Sequence, residues 1–281
     1  MKLRSLLFVP GDRPDRMTKA VAAGADAVIL DLEDSVSPAN KPEARRAVAD
    51  FLGANPTAAL WVRINPLSSP ECDRDLGAIV ARRPDGIVLP KAEGGASVAE
   101  LARRLTDRGN VTALILPIAT ETPAAVFQLG SYGGVKRLAG LSWGAEDLSS
   151  AVGASAAREE DGCYTAPYEI VRALCLFGAS AAGVAAIETI YPDFHDLEGL
   201  AEYAGRARRD GFSGMLAIHP NQVPVINAAF TPSEEELAHA RSVIAAFAAA
   251  PGAGVVSLDG RMLDRPHLVQ AQRIIGAAEG G

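Results

Sequence analysis

Charged side chains recur in this sequence immediately after short apolar runs. Reading past each run gives Pro10-Gly11-Asp12-Arg13, Asp31-Leu32-Glu33-Asp34, Arg63-Ile64-Asn65, Pro90-Lys91, Pro117 with Glu121, Gly144-Ala145-Glu146-Asp147, Glu188, and His219-Pro220-Asn221. Any one of these is what a polar loop at a strand end looks like. A whole set of Asp, Glu, Arg and Lys at matching ends exceeds what solubility requires. Carboxylates gathered in one place repel each other, and a divalent cation relieves that repulsion. Oxygen donors alone select magnesium or a similarly hard ion over zinc, and the chain has neither an HExxH segment nor clustered cysteines. A magnesium site uses one or two carboxylates and leaves other positions to water and substrate oxygens. Spacing by itself does not choose among the acids.

Two further patterns bear on chemistry. The segment Val9–Lys19 turns at Gly11 and opens a helix bearing Arg13, Arg16 and Lys19. Helix N-termini and guanidinium groups suit phosphate; the alternative is a solvated helix face paired with its own aspartates. Neither GxxxxGK[ST] nor GxGxxG occurs, so nucleoside triphosphate chemistry and a Rossmann cofactor site lack their usual signals. Gly140-Leu141-Ser142-Trp143-Gly144 matches G-x-S-x-G, and His195, His219, His239 and His267 lie downstream. No HGGG-type oxyanion segment precedes it, which leaves a serine hydrolase on Ser142 as a distant alternative.

The elements that must position these groups alternate along the chain. Strands are expected at Ser5–Val9, Ala27–Leu30, Ala59–Val62, Gly86–Leu89, Ala113–Leu116, Leu138–Leu141, Ala185–Ile187 and Gly214–Ile218. Their apolar continuity suits strands covered on both faces, as in parallel sheets. Amphipathic helices are expected between them, among them Pro14–Ala23, Pro42–Leu52, Ser97–Asp107, Pro123–Leu129 and Leu197–Asp210. This rhythm predicts an α/β fold, a (β/α)8 TIM barrel, over residues 1–230; an open doubly wound sheet is the alternative. In such a barrel all of these strand ends face one mouth. Residues 231–281 read as a C-terminal helical extension. Thr231-Pro232-Ser233-Glu234 fits a capping box with proline at the first helical position, opening a helix through Ala248. Pro251–Gly260 reads as a flexible link, and Pro266–Ala278 as a terminal helix.

A chain of 281 residues, 48% hydrophobic and 22% charged, is ordinary globular material. Its 27 basic against 34 acidic residues give a net charge of −7, which argues against a nucleic-acid partner. Cys72, Cys163 and Cys175 show no metal-ligand spacing, and their odd number argues against a disulfide framework; a reducing cytoplasm is the expected location. The apolar run Ser5–Val9 is shorter than the roughly 7–15 residues of a signal peptide. No run approaches the roughly 18 apolar residues of a membrane span.

Taken together, RSLLFVPGDRPDRMTKA, DAVILDLEDSV, WVRIN, IATETP, WGAEDL, AIETIYPDF, GMLAIHPNQV and GRMLDRPHLVQAQ resemble the citrate lyase β-subunit-like family, which includes malyl-CoA and citramalyl-CoA lyases. The resemblance runs over nearly the whole chain. It implies a TIM barrel that uses Mg²⁺ and a CoA thioester, or an acyl carrier protein thioester in citrate lyase itself. By motif it implies Glu121 and Asp147 as metal ligands and Arg63 as the substrate-contacting arginine, with Glu121 also facing substrate. Asp264 of MLDRP would be the catalytic carboxyl, delivered by a neighbouring subunit of a homotrimer or a dimer of trimers. Arg13, Arg16 and Lys19 fall where CoA phosphates are contacted, Phe8 lines the same site, and Asp34 orders the metal's outer shell. Glu188 stands where many relatives carry Asp, so its reach is one methylene longer. The expected reaction is reversible cleavage of a 3-hydroxyacyl-CoA to a 2-oxoacid and acetyl-CoA or a related acyl-CoA. Alternatives are a citrate lyase β subunit acting on citryl-acyl carrier protein, a malyl-CoA thioesterase, and a non-catalytic barrel.

Overall fold

The computed structural model describes residues 2–54, 58–160 and 162–279. Two compact units result, one spanning Leu3–Asn227 and one built on residues from Ala228 onward.

The first unit alternates strands β1 (Ser5–Pro10), β2 (Ala27–Asp31), β3 (Leu60–Arg63), β4 (Gly86–Leu89), β5 (Leu114–Pro117), β6 (Gly140–Ser142), β7 (Ala185–Glu188) and β8 (Gly214–Ala217) with helices. The helices are α1 (Pro14–Ala22), α2 (Lys41–Gly53), α3 (Pro70–Ile79), α4 (Gly95–Asp107), α5 (Pro123–Val126), α6 (Glu146–Val152), α7 (Ala166–Ala182), α8 (Leu197–Asp210) and α9 (Gln222–Ala229). The strands run parallel in the order β5-β4-β3-β2-β1-β8-β7-β6. At the seam between β5 and β6, parallel bridges join Ile115 to Leu138 and Ile118 to Ser142. Ala139 N donates to Ile115 O at 2.9 Å there, and Ala119 N to Ser142 O at 2.7 Å. The sheet therefore closes in sequence order into a TIM-type barrel, and the open doubly wound alternative falls away.

The strands are buried on both faces, as their unbroken apolar runs require. Ala27 and Ile29 share one face of β2 and join Leu6, Trp61, Val88, Leu116, Ile187 and Leu216 in the central cluster. Val28 and Leu30, on the opposite face, are equally buried. Gly86 admits the large Trp61 indole: a Cβ there would lie 2.3 Å from the ring. Boundaries differ from the sequence expectation in places. The sixth strand sits at Gly140–Ser142, because Leu138 contributes only a bridge across the seam. The helix expected over Pro123–Leu129 stops at Val126 and gives way to a 3-10 turn over Leu129–Tyr132.

The second unit contains α10 (Glu234–Ala249), an antiparallel hairpin of β9 (Val255–Leu258) and β10 (Arg261–Asp264), and α11 (Arg265–Glu279). Ala240, Val243, Phe247, Leu263 and Ala271 form its core. Two expectations are corrected here. Pro251–Gly260 is not a flexible link: it enters β9 and ends in a two-residue turn. Asp259 and Gly260 have φ of 52° and 74°, the left-handed pair that a tight hairpin demands. The capping box belongs to Ser233, not Thr231. Ser233 Oγ accepts from Glu236 N at 3.1 Å, and Glu236 Oε2 accepts from Ser233 N at 2.7 Å. This register leaves Pro232 outside the helix. Among the described residues no helix is long and apolar enough to cross a membrane.

Candidate active site

Parallel strands point all their carboxyl ends the same way, so the side chains that end β2, β3 and β7 and follow β4, β5 and β6 share one mouth. Asp31 ends β2 and Arg63 ends β3, in register with each other. Arg63 donates from Nε to Asp31 Oδ1 and from Nη2 to Asp31 Oδ2, both at 2.7 Å, a bidentate fork. Its Nη1 lies 3.1 Å from Glu33 Oε2. Burial alone would raise the Asp31 carboxyl, but Arg63, Ser35 and the Glu33 backbone N–H outweigh it and hold it below the usual range. The buried guanidinium is held charged by Asp31 and Glu33. Its Cζ sits 4.8 Å from the centre of the Phe8 ring, so Phe8 on β1 floors this part of the mouth.

Lys91 follows β4 in a left-handed conformation, φ 51°, uncommon for a side-chain-bearing residue. In that conformation its backbone N–H donates to Glu121 Oε2. Its ammonium reaches Glu33 Oε1 at 2.9 Å and Asp147 Oδ1 at 3.1 Å. Burial would lower the Lys91 ammonium; the two carboxylates reverse this and raise it. Glu121, four residues past β5, is only 4% exposed. Burial pushes its carboxyl up to about 8, the Lys91 N–H opposes the rise, and the charges of Asp147 and Glu33 add to it. Gly144 makes room for this side chain, since a Cβ there would lie 3.1 Å from Glu121 Cγ. Thr120 ties the β5 end to the β6 loop: its Oγ1 accepts from Gly144 N at 3.0 Å and donates to Gly144 O at 3.3 Å. The loop then enters α6, whose first turn carries Asp147.

Among the expected residues, then, Arg63, Glu121, Asp147 and Phe8 meet at this mouth. Arg13, at the N-terminal cap of α1, and Arg16 and Lys19 on that helix lie exposed directly after β1, with Arg13 Nε 3.5 Å from Asp15 Oδ1. Asp34 is exposed, and the carboxylates of its segment that join the network are Asp31 and Glu33. Asp264 belongs to the second unit, at the end of β10. Asp31, Glu33 and Lys91 are site residues that sequence reasoning placed at strand ends without singling them out. The signal was present, but which strand-end charge meets which depends on register between strands.

Glu188 presents no free carboxylate to the mouth. Its Oε1 accepts from Trp143 Nε1, from Tyr203 Oη at 3.0 Å and from Thr189 N at 2.8 Å; its Oε2 accepts from Arg172 Nε at 2.7 Å. The hydrolase alternative on Ser142 is corrected by the same region. Ser142 ends β6 fully buried, and its Oγ has no hydrogen-bond partner among the described residues. An activated nucleophile needs an exposed hydroxyl beside a base.

Comparison with known proteins agrees with this geometry. Residues 4–220 match the model of the HpcH/HpaI aldolase/citrate lyase family. A citrate lyase subunit beta-like protein of Mycobacterium tuberculosis is 40% identical over 272 residues, 97% of this chain and 94% of that one. A (3S)-malyl-CoA thioesterase of Cereibacter sphaeroides is 31% identical, covering 98% of this chain and 94% of that one. The crystal structure of CitE from Mycobacterium tuberculosis in complex with magnesium, acetoacetate and coenzyme A superposes with a TM-score of 0.82 at 39% identity, over 98% of this chain and 97% of that one. The chain belongs to the HpcH/HpaI aldolase/citrate lyase family and is an enzyme of its citrate lyase β-like branch.

Proposed function

We propose that this chain is a Mg²⁺-dependent carbon–carbon lyase. Its substrate is a 3-hydroxyacyl-CoA thioester of the malyl-CoA or citramalyl-CoA type, cleaved to a 2-oxoacid and acetyl-CoA or a related acyl-CoA. The observation that carries this reading is the meeting of Glu121 and Asp147 beside Arg63 at the barrel mouth. Their chemistry fits a hard cation. Magnesium is commonly held by one or two carboxylates, with the remaining positions left to water and substrate oxygens. Burial is the main cause of the raised Glu121 carboxyl, and the charges of Asp147 and Glu33, which such an ion would neutralise, add to it. The magnesium in the related CitE supports the same assignment. Bound between Glu121 and Asp147, the ion supplies Lewis-acid polarisation of the oxoacid carbonyl.

The remaining groups divide the other tasks. Arg63 uses two of its five N–H donors on Asp31 and pairs its charge with Glu33; the other donors are left to steady a substrate oxygen as negative charge grows there. Phe8 shields that guanidinium from water. Arg13, Arg16 and Lys19 bind the CoA phosphates, and Asp34 orders water in the metal's outer shell. Asp264 moves the proton. In cleavage the substrate hydroxyl gives its proton to water, the carbon–carbon bond breaks with its electron pair passing to the thioester enolate, and the Asp264 O–H bond breaks as the α-C–H bond of the acyl product forms; in synthesis each transfer reverses. A neighbouring copy of the chain in a homotrimer, or a dimer of trimers, supplies Asp264 on its C-terminal unit. Apolar surface on the barrel unit supports association: Phe127 is 87% and Phe177 64% exposed. They lie on or beside helices flanking an apolar groove of about 180 Å³ lined by Val126, Leu148, Val152 and Val171. Cys72 and Cys175 are buried thiols outside any disulfide, in keeping with the cytoplasm.

Two other readings draw support from the relatives: hydrolysis of malyl-CoA, and action on an acyl carrier protein thioester as a citrate lyase β subunit. The Asp264→Asn variant tests the leading one. It is expected to lose oxoacid release while retaining Mg²⁺ and thioester binding by titration calorimetry. A near-normal rate would contradict the assignment of proton transfer to Asp264.

A further inference from the structure

Asp264 does not stand alone. It ends β10, and Arg265 opens α11, so His267 lies in the first turn of that helix. The His267 Nδ1 sits 2.6 Å from Asp264 Oδ1. The same nitrogen lies 3.2 Å from the Asp264 backbone N–H. Both side chains remain accessible, at 42% for Asp264 and 48% for His267. Asp264 Oδ2 makes no hydrogen bond among the described residues.

The contact ties Oδ1 to the ring, with the proton placed by the imidazole tautomer, and leaves Oδ2 open. With Oδ2 bare the carboxyl can take a proton from carbon, and with a proton on Oδ2 it can give one back, while Oδ1 stays on the ring.

We propose that His267 is a positioning residue for Asp264, fixing the carboxyl through Oδ1 so that Oδ2 is the oxygen presented to the substrate's α-carbon. In synthesis the α-C–H bond breaks, its electron pair remains as the enolate, and an Oδ2–H bond forms; cleavage runs the same exchange backwards. The imidazole stays hydrogen-bonded throughout and forms no bond to substrate. The inference rests on the assignment of Asp264 to proton transfer. The competing explanation is purely structural: Asp264 and His267 together cap the start of α11.

The experiment compares wild type, His267→Ala, His267→Asn and Asp264→Asn in the full chain with Mg²⁺. Steady-state cleavage of (S)-malyl-CoA and citramalyl-CoA, melting temperature, and the ¹⁵N NMR signal of the His267 ring are measured. Positioning predicts that His267→Ala lowers kcat by about 10- to 100-fold with KM unchanged. His267→Asn, whose amide overlies Nδ1, is expected to recover most of the rate. Asp264→Asn is expected to shift the His267 Nδ1 signal, a readout independent of turnover. A folded His267→Ala with kcat within about twofold of wild type and only a lowered melting temperature would reduce the ring to a helix cap. An Nδ1 signal indifferent to Asp264→Asn would remove the contact itself. An active Asp264→Asn would instead overturn the assignment of Asp264.

Discussion

At the scale of single residues, Glu121 shows how burial and charge compete at the barrel mouth. Its carboxyl ordinarily titrates at 4.5 and is pushed up to about 8 here by burial, against the Lys91 N–H and with the charges of Asp147 and Glu33. Between those values the Mg²⁺-free folded protein holds a proton that the unfolded chain has released. Stability must then fall as pH rises across that window, and the loss is complete above about pH 8. Glu121→Gln carries no such proton. The melting temperature of wild type relative to Glu121→Gln, followed without metal from pH 5 to 8, should therefore decline with a slope the variant lacks. A parallel pair of curves would contradict the raised carboxyl. With Glu121 as the proposed ligand, magnesium needs its ionised form, so binding near neutral pH should release a proton, visible as buffer-dependent heat. The same scale shows what the sequence hid. Asp31, Glu33 and Lys91 were legible as strand-end charges, but their roles as partners of Arg63, Glu121 and Asp147 come from register and from the left-handed turn at Lys91. One step along the chain separates buried Glu33 from exposed Asp34, a distinction that residue type does not carry.

Long patterns in the sequence specify their elements, and short ones do not. The eight strand positions followed from continuous apolar runs, because parallel strands in a barrel are covered on both faces. The hairpin of β9 and β10 is not legible in the sequence for two reasons. Each strand has four residues, too few for a clear alternation, and the glycines flanking them imitate a linker. Asp259-Gly260 was the available signal, a dipeptide that favours tight hairpin turns. At the start of α10 two overlapping S/T-x-x-E segments competed, at Thr231 and Ser233, and the structure uses the second. Ser233→Ala should accordingly destabilise the C-terminal unit by about 1 kcal/mol, read from denaturant melts or hydrogen exchange of the first turn of α10. An unchanged melt would mean that the box contributes nothing net.

For the whole molecule, closure through the β5–β6 seam turns separate strand ends into one site, and that site holds its acids and its arginine within a single barrel unit. Asp264, the carboxyl proposed above to transfer the proton, lies in the other unit, which makes subunit sharing testable. Glu121→Ala and Asp264→Asn proteins, each inactive alone, are expected to regain activity when co-assembled, because some sites then pair an intact barrel with an intact neighbouring tail. Random ring assembly predicts about a quarter of the wild-type rate. No recovery in a verified mixed oligomer would place barrel and tail of each site in the same chain.

The central claim, metal-dependent carbon–carbon cleavage, is tested most directly by incubating the purified protein with Mg²⁺ and, separately, (S)-malyl-CoA and both epimers of citramalyl-CoA, with and without EDTA, while following glyoxylate, pyruvate and free CoA. The account predicts oxoacid release from one of these substrates that EDTA abolishes. Release of free CoA without oxoacid, or oxoacid release indifferent to EDTA, would contradict it.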